Sequence, residues 1–105
     1  MTSTDIVSAM TDLIVEHFQP LKVILFGSHA RGQARPDSDV DLLVVLEDGT
    51  DRRQKAVAIR RALKHFPLSK DIIVTTPDEI ARRGALVGPV LRPALRDGVV
   101  LYERR

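Results

Sequence analysis

Apolar positions along the chain switch between two periods, and each switch marks an element. Ile6, Met10, Leu13, Ile14 and Phe18 fall at helical spacing and predict an amphipathic first helix. Thr4 is its expected N-cap, Asp5 suits the positive end of the helix dipole, and Pro20 ends it. His17 lies beside the apolar stripe near the C-terminus and is read as structural rather than as a ligand. Val23 to Phe26, bounded by Pro20 and Gly27, predicts a strand. Gly27-Ser28 turns the chain, Ser28 is placed to cap a short helix through about Gln33, and Pro36-Asp37 marks a loop. Ser38 to Leu46 predicts a second strand, antiparallel to the first. Its half from Leu42 to Leu46 is apolar on both faces, which assigns it to the centre of a sheet.

Beyond the turn Glu47-Asp48-Gly49, Thr50 or Asp51 caps a helix that runs to about His65 and is stopped by Pro67. Ala56, Ile59, Leu63 and Phe66 form its apolar stripe. Arg52, Arg53, Lys55, Arg60, Arg61 and Lys64 cover the rest, read as a solvated face. Lys70 to Thr75 predicts a third strand. Thr76-Pro77-Asp78-Glu79 then signals a helix start, with Thr76 as N-cap, Pro77 in the first turn and Glu79 completing a capping box. A helix from Ala85 to Arg96 would turn Leu86, Val87, Val90, Leu91 and Leu95 inward, interrupted by Pro89 and Pro93 and ended by Gly98. Val99 to Tyr102 predicts a last strand, with Glu103-Arg104-Arg105 as a frayed tail.

Three or four strands interleaved with helices imply an α+β fold, a small mixed sheet backed by helices on one face. At 105 residues the expectation is a single domain spanning 1–105. The absence of cysteine excludes disulfides and thiolate metal sites. The longest apolar runs are too short to cross a bilayer, and Met1 to Asp5 lacks the basic and apolar regions of a signal peptide, so a cytoplasmic location without membrane contact is expected. Lys and Arg outnumber Asp and Glu by 16 to 14, a net charge of +2. That excess is too small to argue for nucleic acid as a direct partner.

The chemistry concentrates between the first two strands. Asp39 and Asp41 stand at spacing two on the expected second strand, hence on one face and about 7 Å apart along the backbone. Two carboxylates so placed can converge on Mg²⁺, which prefers oxygen ligands and completes its shell with water and substrate phosphate. Gly27 lets a phosphate approach the backbone without a clashing Cβ, and Ser28 offers a hydroxyl and an N–H. Arg31 and Arg35 could neutralise a triphosphate, Arg31 the better placed because it lies one turn on. Asp71, opening the third strand, is the candidate for a third carboxylate that ligates metal and accepts the proton of an attacking hydroxyl. Asp37, Asp48 and Asp51 sit in turns or at caps and are read as structural.

Gly27-Ser28, ten residues, then Asp39-Val40-Asp41 matches the signature of the DNA polymerase beta-like nucleotidyltransferase superfamily. The fuller pattern resembles the minimal nucleotidyltransferase (MNT) branch over nearly the whole chain: Phe26-Gly27-Ser28-His29-Ala30-Arg31-Gly32, then Ser38-Asp39-Val40-Asp41-Leu42-Leu43, then Asp71, then Gly98 to Glu103. Members commonly act as antitoxins to helical HEPN-domain ribonucleases. The resemblance implies the nucleotidyltransferase fold and Mg²⁺-dependent transfer of AMP from ATP to a hydroxyl, such as a tyrosine of the toxin. By position it makes Asp39 and Asp41 metal ligands, Asp71 the third ligand and base, and Gly27 and Ser28 holders of phosphate. His29 occupies a position the motif leaves open and receives no role.

Three functions compete at this point. The first is an adenylyltransferase that silences a partner toxin, in a hetero-oligomer with it. The second is an antitoxin that masks the toxin by contact alone. The third is a small-molecule nucleotidyltransferase, which commonly adds a substrate-binding domain for which 105 residues leave no room.

Overall fold

The computed structural model describes the chain apart from residues 1, 33–34, 36–37, 84–97 and 105 and the side chains of Ser3 and Arg83. The expected helix over 85–96 and the loop residues Pro36 and Asp37 lie outside the described residues. In chain order the elements are α1 (Ser3–Phe18), β1 (Lys22–Phe26), β2 (Val40–Val45), α2 (Arg52–Ala62), β3 (Lys70–Thr75), α3 (Pro77–Arg83) and β4 (Val99–Glu103). The four strands form one mixed sheet in the order β3-β2-β1-β4. β1 pairs antiparallel with β2 and with β4, and β3 runs parallel to β2.

β2 is central, as its unbroken apolar run requires, and both its faces are covered. On one face Val40, Leu42, Val44 and Leu46 join Val23, Ile72 and Val74 beneath Ile6, Met10 and Ile14 of α1 and Ile59 of α2. On the other face Ile24 and Leu43 are buried under Phe26, Ile73 and Ile80. The helices therefore do not all lie on one face. α1 and α2 cover the larger core, whereas Ile80 brings α3 to the opposite side. Ile59 is fully buried, so Ile59→Ala should lower stability by about 2–5 kcal/mol, read as a drop in denaturant midpoint.

Local chemistry sets the ends of the elements. α1 is capped by Thr2 rather than Thr4: Thr2 Oγ1 accepts from Asp5 N–H at 3.1 Å and Asp5 Oδ2 accepts from Thr2 N–H at 3.2 Å, a reciprocal capping box. Gln19 closes the helix in a left-handed conformation (φ 50°) before Pro20. Asp51 caps α2 by accepting from Gln54 N–H at 3.1 Å. The helix ends at Ala62, and residues 63–65 turn away short of the expected end at His65. Thr76 caps α3 as expected, accepting from Glu79 N–H at 3.2 Å. The Glu79 carboxylate does not complete the box; it accepts from the Thr75 hydroxyl and pairs with Arg52 of α2. Glu103 and Arg104, expected in a frayed tail, are anchored. Glu103 belongs to β4, and Arg104 donates its N–H to Leu21 O at 2.9 Å and a guanidinium N–H to Glu47 at 3.0 Å.

Candidate active site

β1 ends at Phe26, and Phe26 is the register partner of Asp41 on β2; Asp41 is in turn the register partner of Asp71 on β3. Neighbouring strands lie about 4.8 Å apart, so three adjacent strands deliver Phe26-Gly27, Asp41 and Asp71 side by side at one end of the sheet. Strand alternation puts Asp41 with Leu43 and Asp71 with Ile73, on the face opposite α1 and α2. Val40 N–H donates to Ser69 O at 2.8 Å and pins the start of β2 to the start of β3.

Asp39 stands one residue before β2, exposed at its mouth, not within the strand. Asp41 is half-buried. Its pKa is raised, first by burial and then by the negative charges of Asp71 and Asp39, while His29 and Arg31 pull it back down. Those four groups therefore all lie within electrostatic reach of Asp41. The raised value means that, without metal, Asp41's contribution to stability is fully present below the ordinary carboxyl value of 3.8 and is lost as pH rises through the folded-state value. Asp41→Asn is expected to raise the metal-free melting temperature at neutral pH and to flatten its dependence between mildly acid and neutral pH, as measured by thermal melts across that range.

Gly27 has φ +75°, a conformation that L side chains rarely adopt, and a Cβ there would collide with Asp41 Oδ2 and lie 3.2 Å from its Cγ. The Asp41 carboxylate thus occupies the space that a side chain at position 27 would need. Beyond Gly27 the backbone makes a tight turn, with Arg31 N–H donating to Gly27 O at 3.2 Å and Gly32 N–H to His29 O at 3.4 Å. Residues 28–32 form turns and not the short helix expected from Ser28. His29 Nε2 lies 3.2 Å from Ser38 O and ties the two ends of the β1–β2 connection together. Sequence reasoning gave His29 no role; a histidine reaching across nine residues leaves no local signal. A hollow of about 310 Å³ between α1 and β4, bordered by Val7, Leu25 and Leu101, shares only His29 with this cluster.

Of the expected site residues, Gly27, Asp39, Asp41 and Asp71 gather at this end of the sheet, and Ser28 and Arg31 lie on the turn that follows Gly27. The Asp71 side chain is half exposed and its Oδ1 accepts from Arg60 Nη2 of α2 at 3.2 Å, a contact not anticipated from the sequence. Among the described residues no three acidic or histidine side chains close into a complete metal shell. The donor set nonetheless suits a hard divalent cation: three carboxylates, two of them placing negative charge near a third whose charged form burial already disfavours.

Three carboxylates therefore meet at one end of a mixed sheet, one of them lying against the bare backbone of Gly27, an arrangement suited to divalent-metal chemistry on phosphate esters. The family can be stated: a nucleotidyltransferase domain model matches residues 9–97, and the chain belongs to that family. A Methanocaldococcus jannaschii protein provisionally assigned as a protein adenylyltransferase is 37% identical over 54 residues, 51% of this chain and 54% of the relative. The match thus spans about half the length of that relative. Among solved structures, a provisionally assigned nucleotidyltransferase from Sulfolobus solfataricus superposes with a TM-score of 0.60 at 22% identity, covering 95% of this chain and 79% of the other. A toxin–antitoxin complex with AMP-PNP gives 0.63 at 19% identity, over 99% and 76% of the two chains. A mutant MntA–HpeT toxin–antitoxin gives 0.54 at 20%, over 100% and 76%. These likenesses establish the nucleotidyltransferase fold, the α+β architecture expected from the sequence.

Proposed function

We propose that this chain is an adenylyltransferase that moves AMP from ATP to a hydroxyl of a partner protein, acting as the antitoxin of a toxin–antitoxin pair. The observation that carries the reading is Asp41, half-buried between the charges of Asp39 and Asp71 and walled by the Cβ-free turn at Gly27. Support for the partner comes from the toxin–antitoxin neighbours and from the relative assigned as a protein adenylyltransferase.

Asp39, Asp41 and Asp71 would hold Mg²⁺, which when bound offsets charge on the triphosphate and on the departing pyrophosphate. Gly27 leaves room for the phosphates, and the Ser28 hydroxyl and N–H donate to them. Arg31 adds positive charge on the same side. Asp71 accepts the proton of the attacking hydroxyl, whose oxygen forms the new bond to the α-phosphorus as the bond to pyrophosphate breaks. The whole of 1–105 serves as one catalytic domain, working in the cytoplasm, with the acceptor wall supplied by a HEPN-type partner. Among the described residues no helix is long and apolar enough to cross a membrane.

The test is to incubate the protein with Mg²⁺, α-labelled ATP and the product of the adjacent gene. Label on that product with wild type and none with Asp39→Ala is the expected result; equal labelling by both, or none by either, would contradict it. Masking by contact alone is the competing reading, favoured by one observation: Asp71 is engaged by Arg60. It requires Asp39→Ala to protect against the toxin as well as wild type does.

A further inference from the structure

We propose that Arg60 is a positioning residue of this site, holding Asp71 out of the metal shell until the ion pair opens. The inference rests on the reading of the carboxylates given above. α2 packs on the sheet face opposite the site through Ile59 and Leu63, yet Arg60 reaches round the outer edge of β3 to Asp71, Nη2 to Oδ1 at 3.2 Å. β3 is the edge strand of the sheet, so nothing in the strand order separates helix from carboxylate on that side. Asp71 is the register partner of Asp41 on the neighbouring strand, one strand spacing away. Even so, no three ligating side chains among the described residues complete a shell. The backbone thus places the third carboxylate beside the second, while one of its oxygens is engaged by a cation of α2.

The geometry makes this contact separable from the fold. Both partners are half exposed, at 53% and 52% of their side-chain surface. α2 is attached to the sheet independently of it, by the buried Ile59 and, one end further along, by Arg52 with Glu79 and Thr75. Replacing Arg60 therefore frees Asp71 without detaching the helix. A cation at position 60 also repels an incoming metal, so competition for the carboxylate and charge repulsion act in the same direction. An exposed pair of this kind corresponds to an effect of about two- to fivefold on a competing equilibrium.

The experiment is a Mn²⁺ titration of the full chain without nucleotide, following free Mn²⁺ by electron paramagnetic resonance. Mn²⁺ shares the octahedral oxygen preference of Mg²⁺. The variants are Arg60→Ala, Arg60→Lys, Asp71→Asn, and Arg60→Ala combined with Asp71→Asn; Asp41→Asn serves as the control for the site. Arg60→Ala should bind Mn²⁺ about two- to fivefold more tightly than wild type. Arg60→Lys should stay near wild type, and Asp71→Asn should bind Mn²⁺ no more tightly than wild type. The gain from Arg60→Ala should vanish in the double variant, which a purely structural role for Arg60 would not produce. If Arg60→Ala leaves affinity unchanged or weakens it while Asp41→Asn still abolishes binding, the latch is wrong and the site stands. If wild type does not bind Mn²⁺, both the latch and the functional reading fall.

Discussion

Asp41→Ala should reduce AMP transfer by a factor on the order of 10²–10³ or more, the loss expected when one fixed charge at a phosphate-transfer centre is removed. The expected readout is loss of label from α-labelled ATP on the partner, with the folded state retained. Asp41 is the most enclosed of the three carboxylates, bracketed by Phe26 and Asp71 in register and touching the space at Gly27. The same enclosure that raises its pKa makes it costly to the metal-free fold. Activity and stability should thus move in opposite directions on replacing it by asparagine, a pattern typical of residues kept for chemistry rather than for packing.

The second large effect concerns a residue without a side chain. Gly27→Val should lose most transfer activity and also destabilise the protein by about 1–3 kcal/mol, because a β-branched residue is forced to positive φ. Its Cβ would displace the Asp41 carboxylate from the position the turn now allows. Gly32→Ala is the control. Gly32 also has positive φ, +68°, but a Cβ there meets nothing within 4 Å. It should cost stability through the backbone alone and leave transfer intact. Melting temperature and label transfer, measured on both variants, separate strain from displacement of Asp41.

Much of this site was legible because it is written in local pattern. The apolar run from Leu42 to Leu46 required a central strand, and placing Asp41 on it followed. Asp71 was legible as an acid opening a third strand on the face of Ile73, whereas the parallel pairing of that strand with β2, which makes Asp71 and Asp41 neighbours, carries no local signal. Gly27 ended an apolar strand, where only a glycine tolerates the conformation found. Contacts made by long side chains across elements were not legible. Arg60 and Asp71 are eleven positions apart, and the basic face of α2 gave no sign that one of its cations would turn toward an acid on the far side of the strand. Arg52 likewise pairs with Glu79, which drew that carboxylate away from the capping box its spacing predicted. Ile80 could not be assigned to a face until the sheet had two. Asp39 was counted within the strand because alternation alone does not mark where hydrogen bonding begins. Thr2 is a different case: its spacing to Asp5 was a capping signal available to reading, with Thr4 the nearer but wrong choice.

The two readings, catalysis and contact, are separated most directly by the mass of the partner. The product of the adjacent gene, co-expressed with this chain and purified from it, should carry the added mass of one AMP on a hydroxyl side chain. Co-expressed with Asp39→Ala it should be unmodified and toxic. An unmodified partner that is nonetheless neutralised by both proteins would contradict adenylyl transfer as the function of this site.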